Sequence, residues 1–243
     1  MRKIFSHCFV ITQLVFTLMQ VFTPKFGFQF FGNMLFNSLF YVIMYGLLNV
    51  ASPMLCSYIY AKYNKRVKWV RILWIIVLIN LYVPLSASLA SSLNFAMKLG
   101  IYDNIYAYML CALNGFSGNF LIYYATWKGL SWEYAEAAFI DGASNTRVMT
   151  QIMIPMTKTI FGVLFLTQVV ALWTDYSTPM VFLPSYPTLA YGVFLFQNSV
   201  ENGASFTPVR IASLIAVAIP MIVLFITFKN KMMGSLTIGG LKG

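Results

Sequence analysis

Long runs without a charge, broken by short basic or polar connections, leave this chain few ways to fold. No acidic or basic residue occurs between Met34 and Ala61, nor between Ile72 and Met97. A helix in contact with water needs a polar face, so runs that are apolar all round belong in a packed interior or in lipid. Their length decides for lipid, because a span takes about 20 mostly apolar residues. The pattern predicts an all-α transmembrane bundle of six spans, near 4–22, 34–61, 69–93, 104–126, 159–183 and 208–228. Only 9% of the 243 residues are charged, against roughly a quarter in soluble domains. That is too few to cover a globular surface, so residues 1–243 are expected to form one membrane domain. The first span carries His7, Thr12, Gln13 and Gln20 behind Arg2 and Lys3. It resembles a signal peptide in outline, but no small-x-small cleavage site follows, which favours an uncleaved anchor.

The net charge of +10 suits nucleic acid in a soluble protein. In a membrane protein it more often marks the loops held in the cytoplasm. With the N-terminus inside and six spans alternating, Lys25, Lys98 and Arg210 alone among the 16 basic residues fall outside. The expected topology is therefore N-in and C-in, with residues 229–243 as a cytoplasmic tail. Cys8, Cys56 and Cys111 are an odd set at no metal spacing, which argues against disulfides or zinc. Pro53, Pro84 and Pro220 read as tolerated kinks. Outside, the apolar middle of the 185–208 segment, Leu189 to Phe196, suggests an interfacial or re-entrant helix.

One cytoplasmic loop, 131–155, breaks the apolar pattern: "SWEYAEAAFIDGASNTRVMTQIMIP". Ser131 can cap a helix with Glu133 in its first turn. Trp132, Ala135 and Phe139 then share one stripe. Asp141-Gly142 ends that helix, since glycine accepts the left-handed backbone of a C-terminal cap. Ser144 can cap a second helix through Met149, Ile152 and Met153, which Pro155 is expected to close. Asn145 reads as an exposed position of little consequence. Small Ala137 and Ala138 permit close approach of another backbone. A helix pair lying on lipid usually shows a basic polar face; this one shows Glu133, Glu136 and Asp141, half of the six acids in the chain. Its sign suits a partner with basic groups.

Glu136-Ala137-Ala138, three residues, Gly142, nine residues and then Ile152-x-Ile154-Pro155 resembles the "EAA" loop of bacterial ABC importer permeases. Ile154 stands where leucine is usual, and Ser131 and Thr159 where prolines flank the loop. "FIDGAS" (139–144), "FNSL" (36–39), "WTDYSTPMVFL" (173–183) and the glycine-rich tail "GSLTIGGLKG" are similar to the carbohydrate-uptake branch, specifically to the smaller permease of maltose and multiple-sugar systems. The resemblance implies a sugar permease in the bacterial inner membrane, half of a pore completed by a second permease. It implies two ATPase subunits, which hold ATP and magnesium and dock on the loop, and an extracytoplasmic binding protein. Glu133, Glu136, Ala137, Ala138, Asp141, Gly142, Ile152 and Pro155 are the docking candidates it names.

Chemistry of the chain's own is not expected. There is no Gly-Lys pair to build a phosphate loop, no assembled nucleophile and base, and no metal site. His7, the only histidine, reads as an interfacial side chain. Asp175 is the one acid inside a predicted span. Beside Trp173 it is the pore candidate, either facing a cavity or marking an unwound outer end. A secondary transporter would want more such groups in mid-membrane. A non-transporting scaffold gives no reason for the glycine-hinged loop, whereas an ABC permease for another solute would share it.

Overall fold

The computed structural model describes residues 28–63, 70–82, 89–198, 215, 217–223 and 226. The predicted first span, most of the predicted last span and the 229–243 tail lie outside them. The described residues are helical, with no strand among them. In chain order they form α1 (Phe28–Tyr63), α2 (Val70–Tyr82), α3 (Leu89–Lys98), α4 (Ile105–Tyr108) running into a 3-10 turn (Met109–Ala112), and α5 (Gly118–Gly129). Then come α6 (Glu133–Ile140), α7 (Asn145–Met156), α8 (Lys158–Thr174), α9 (Ser177–Phe182) and α10 (Leu189–Asn198).

Helix α1 is the spine. It carries Pro53 within its length and packs chiefly on α5 and α8. Around its first half lie Met34, Tyr41 and Val42 with Ile105, Tyr108, Val169, Leu172, Leu183 and Leu189. Around its second half lie Val50, Met54 and Tyr58 with Tyr123, Trp127, Ala135, Val148 and Met153. Tyr60 stacks on Trp74 of α2 at 5.4 Å and meets Phe120 of α5. Ile43, Leu47, Leu55 and Ile59 point outward.

Two predicted spans prove to be interrupted. In the run 69–93 the described residues are helical, in α2 and the start of α3, and residues 83–88 lie outside the description. The run 104–126 stops at Leu113, whose backbone leaves the helical region (ψ 52°), and resumes at Gly118. Gly115 in that break sits against α1: a Cβ there would stand 2.5 Å from the Cys56 sulfur. The break carries the turn-forming pair Asn114-Gly115, a signal lost when hydropathy is averaged over the length of a span. The run 159–183 breaks at Asp175-Tyr176. Among the described residues, Gly32–Tyr63 is the one helix long and apolar enough to cross a bilayer alone. α7 with α8 makes a second only if the pair, bent by 67°, is one span.

At the end of α1 remote from Lys62, polar side chains fasten the 183–189 connection. The Ser38 hydroxyl donates to the Met34 carbonyl (2.8 Å) and accepts from the Leu189 N–H (2.7 Å). Asn37 donates to the Pro187 carbonyl at 3.3 Å. Asp103, at φ 54°, receives the Ser185 N–H at 2.8 Å and the Ser185 hydroxyl at 2.6 Å. The "FNSL" residues thus hold the start of α10, the helix suggested by the apolar run Leu189 to Phe196.

Candidate functional site: a hairpin on the end of the long helix

The 131–155 segment folds as a helical hairpin. Its first arm, α6, starts where the Ser131 hydroxyl accepts the Glu133 N–H at 3.3 Å. The arm ends at Asp141, and Gly142 follows at φ 80°. There the Gly142 N–H reaches the Phe139 carbonyl at 3.0 Å and the Ala143 N–H reaches the Ala138 carbonyl at 2.9 Å. These are the paired bonds of a left-handed helix cap. The Ser144 hydroxyl accepts the Arg147 N–H at 3.3 Å and so caps α7.

The end of α7 corrects an expectation. Pro155 does not close the helix. The chain widens into a π-turn over Met149–Met153, carries Pro155 in the next turn, and bends two residues later at Thr157. Proline cannot donate to the Gln151 carbonyl and its ring crowds that group; widening the preceding turn accommodates both effects without ending the helix. At the bend Thr157 is buried, its hydroxyl 2.9 Å from the Ile154 carbonyl and 3.8 Å from the Met54 sulfur of α1.

The hairpin has two distinct faces. Ala135 (1% exposed), Val148 and Met153 are buried against Val50, Met54, Tyr58 and Trp127, with Trp132, Ala138 and Ile152 packed at the edge. The opposite face shows Glu133, Glu136, Ala137 and Asp141. Beside these acids stand Tyr134, 57% exposed, and Ile140, 87% exposed. No ion pair to the three acids occurs among the described residues. An acidic surface with an isoleucine at its tip suits a partner's apolar pocket with basic groups around it.

The predicted stripe is therefore split. Trp132 and Ala135 face inward, whereas Phe139 turns toward Lys62 at the end of α1. The Lys62 ammonium lies 4.9 Å from the Phe139 ring centroid and donates to the Asn145 side-chain carbonyl. Asn145 is exposed, as expected, and its side chain accepts this bond. In the sequence Lys62 is only one more basic residue after a span. Nothing in one helix's periodicity links it to a residue 83 positions away.

Trp173 and Asp175 lie apart from the hairpin, in the cluster around the first half of α1. The Trp173 indole is buried and donates to the Val217 carbonyl at 3.1 Å. One Asp175 oxygen accepts the Ser177 N–H (3.0 Å), the Ser177 hydroxyl (2.9 Å) and the Thr178 N–H (3.1 Å). It caps α9 after the break, so of the two readings open for Asp175 the unwound helix end fits the contacts. Asp175→Asn should preserve the thermal unfolding midpoint of the purified protein, since asparagine caps equally well. Asp175→Leu should lower stability by about 1 kcal/mol. Loss of transport in Asp175→Asn at unchanged stability would show that the charge itself is required. Among the described residues no group of acids, cysteines or histidines can hold a metal.

No family model matches the chain. Curated relatives do. The galactooligosaccharides transport system permease protein GanQ of Bacillus subtilis is 29% identical over 164 residues, 66% of this chain and 57% of that protein. The arabinooligosaccharides transport system permease protein AraQ of the same organism is 24% identical over 209 residues, 86% of this chain and 73% of that one. The maltodextrin transport system permease protein MdxG, also from Bacillus subtilis, is 27% identical over 214 residues and covers 85% and 74%. The chain thus spans little more than half of GanQ and about three quarters of the other two. A solved structure of a bacterial ABC transporter involved in importing the acidic polysaccharide alginate aligns at a TM-score of 0.68 and 20% identity, over 88% of this chain and 78% of its counterpart. At that identity the likeness speaks for the fold, and the sequence relatives speak for descent. The chain is a homologue of the permease subunits of ABC sugar-import systems and shares the fold of an ABC importer chain.

Proposed function

We propose that this chain is a permease subunit of an ATP-driven importer of oligosaccharides in a bacterial cell membrane. In this reading residues 1–243 form one membrane domain of about six spans, N-in and C-in. It makes half of a pore with a second permease and docks an ATPase subunit through the 131–155 hairpin. An extracytoplasmic binding protein delivers the solute, and ATP with magnesium stays on the ATPase subunits. The observation that carries the reading is the two-faced hairpin: its inner face is buried on α1 and α5, and its outer face offers Glu133, Glu136 and Asp141 around Ala137 and the exposed Ile140. Gly142 sets the angle of the turn, while Ile152 and Pro155 carry the second arm to the Thr157 bend. Closure of the ATPases would move the hairpin and rock the attached helices between inward-open and outward-open states. Trp173 and Asp175 belong to the pore side of this reading, as the residues that shape the broken helix α8–α9.

Supporting the sugar class are the galactooligosaccharide, arabinooligosaccharide and maltodextrin permeases among the relatives. The test is deletion and complementation in the native host, with uptake of labelled galacto- and arabino-oligosaccharides and maltodextrins. One of these should depend on the chain, and an ATPase should co-purify with it. Co-purification without uptake of any of the three classes would move the assignment to an ABC permease for another solute. Absence of a co-purifying ATPase would remove the docking reading altogether.

Sidedness is checked separately. With Cys8, Cys56 and Cys111 replaced by alanine, a cysteine at Thr146 should resist an impermeant maleimide applied to intact cells, and one at Asn198 should label. Labelling of Thr146→Cys from outside would place the hairpin where no cytoplasmic ATPase reaches it.

A further inference from the structure

Helix α1 touches both ends of the machinery just described. Its last turn carries Lys62, a position that suits a cation because the helix dipole is negative there. From that turn one ammonium reaches both arms of the hairpin: the Phe139 ring on α6, at 4.9 Å, and the Asn145 side chain that opens α7. The tyrosine rings of Tyr58 and Tyr63 flank its path at 6.0 and 5.5 Å. Between the two arms lies Gly142, where a Cβ would meet nothing within 4 Å, so packing does not stiffen the turn. The Lys62 side chain spans this hinge.

The packing of the hairpin on α1 is apolar, made by Ala135, Val148 and Met153 against Val50, Met54 and Tyr58. Packed apolar surfaces hold elements together but permit small sliding motions, the shear movements of packed helices. A hydrogen bond and a cation over a ring face fix direction and register. Toward its other end, α1 continues to Ser38, which binds the Leu189 N–H beside Asn37. Twenty-four residues of helix separate Lys62 from Ser38, about 36 Å at 1.5 Å per residue, longer than a hydrocarbon core of roughly 30 Å.

We propose that Lys62 is the latch through which movement of the hairpin is delivered to α1, and along α1 to the connection at 183–189. It is a positioning residue, in contact with neither solute nor nucleotide. The proposal rests on the docking reading above but makes a separate demand: without the latch the hairpin still docks, and α1 no longer follows it.

The test needs no solute. In the full assembly purified from the native host, with Cys8, Cys56 and Cys111 replaced by alanine, Asn33→Cys places a reporter on an exposed site at the far end of α1. Its reaction with a fluorescent maleimide is timed without nucleotide and after trapping with ATP and vanadate. The parent should change its rate about threefold or more, as expected when a ligand shifts the populations of two conformations. Lys62→Met should keep the ATPase bound and hydrolysing but lose the change, and Lys62→Arg should restore it. Asn145→Ala should reduce it, and the double variant should be no worse than Lys62→Met, because one interaction is removed once. Should Lys62→Met fail to reach the membrane, Asn145→Ala decides, and a parent-like response in it overturns the latch. A parent-like response in Lys62→Met overturns the latch while leaving docking intact. A parent that binds its ATPase yet shows no change overturns it as well. A parent that binds no ATPase overturns the docking reading and the latch together.

Discussion

Gly142→Val should reduce the ATPase recovered with this chain at least tenfold while membrane levels stay close to wild type. Gly142 sits at φ 80° with open space where a Cβ would go. Collision with a neighbour therefore contributes nothing, and the whole penalty is backbone strain. A left-handed conformation costs an ordinary L-residue about 1–2 kcal/mol, and a β-branched one more. The chain escapes the strain by opening the turn, which breaks the bonds from Gly142 and Ala143 back to Phe139 and Ala138. Both arms then lose their angle, Phe139 and Asn145 move off Lys62, and the acidic face no longer presents one surface. A loss of about 1.4 kcal/mol is tenfold in the bound fraction. Gly142→Asn is the control that separates backbone from side chain, because asparagine visits the left-handed region readily. It should retain most of the docking. Glu136→Ala tests the surface without touching the fold: removing a carboxylate that pairs across an interface weakens binding, and its exposed position leaves stability alone. Wild-type recovery in both Gly142→Val and Glu136→Ala would take the docking role away from the hairpin.

The hairpin was legible in the sequence because its determinants are local. Ser131 and Ser144 sit at helix starts, Asp141-Gly142 at a left-handed cap, and the small and acidic residues at fixed offsets between them. Each acts within four residues of itself, so a linear reading finds it. The helical class was legible for a similar reason, since hydropathy over about 20 residues needs no knowledge of what packs where.

The interruptions were not legible. Gly115 is required by the Cys56 sulfur of a helix some sixty positions earlier, and Leu113 looks like any other apolar residue of a span. Asp175 was ambiguous from sequence because an acid in an apolar run serves either a cavity or a cap; its contacts with Ser177 and Thr178 are those of a cap. Pro155 misled for a different reason. The rule that proline ends a helix assumes an α-turn before it, and a π-turn over Met149–Met153 relieves the clash. Lys62 and Ser38 were beyond reach altogether, since each acts on a residue 83 or more positions away. Asp103 and Ser185, 82 positions apart, were hidden for the same reason.

Trp127→Ala should remove most of the protein from the membrane, a loss of folding rather than of docking. Trp127 is fully buried where α5, α1 and the hairpin meet, with the Tyr58 ring edge-on at 5.3 Å. Its indole N–H donates to the Ser57 hydroxyl at 3.0 Å, and that hydroxyl in turn donates to the Met54 carbonyl at 2.9 Å. Truncation leaves a cavity under the hairpin and withdraws the donor from Ser57. Large-to-small changes of this kind cost about 3–5 kcal/mol, a large share of a typical domain's stability. Trp127→Phe keeps a ring in the site and withdraws mainly the hydrogen bond, about 1 kcal/mol. It should lower the unfolding midpoint slightly and leave ATPase recovery unchanged. The order wild type, phenylalanine, alanine, read as membrane protein per cell and as unfolding midpoint in detergent, measures how much of the root is packing and how much is the bond to Ser57. If Trp127→Ala accumulates normally and only its docking suffers, Trp127 is not needed to hold the hairpin's root together, and the packed seat on α1 and α5 does not carry the fold.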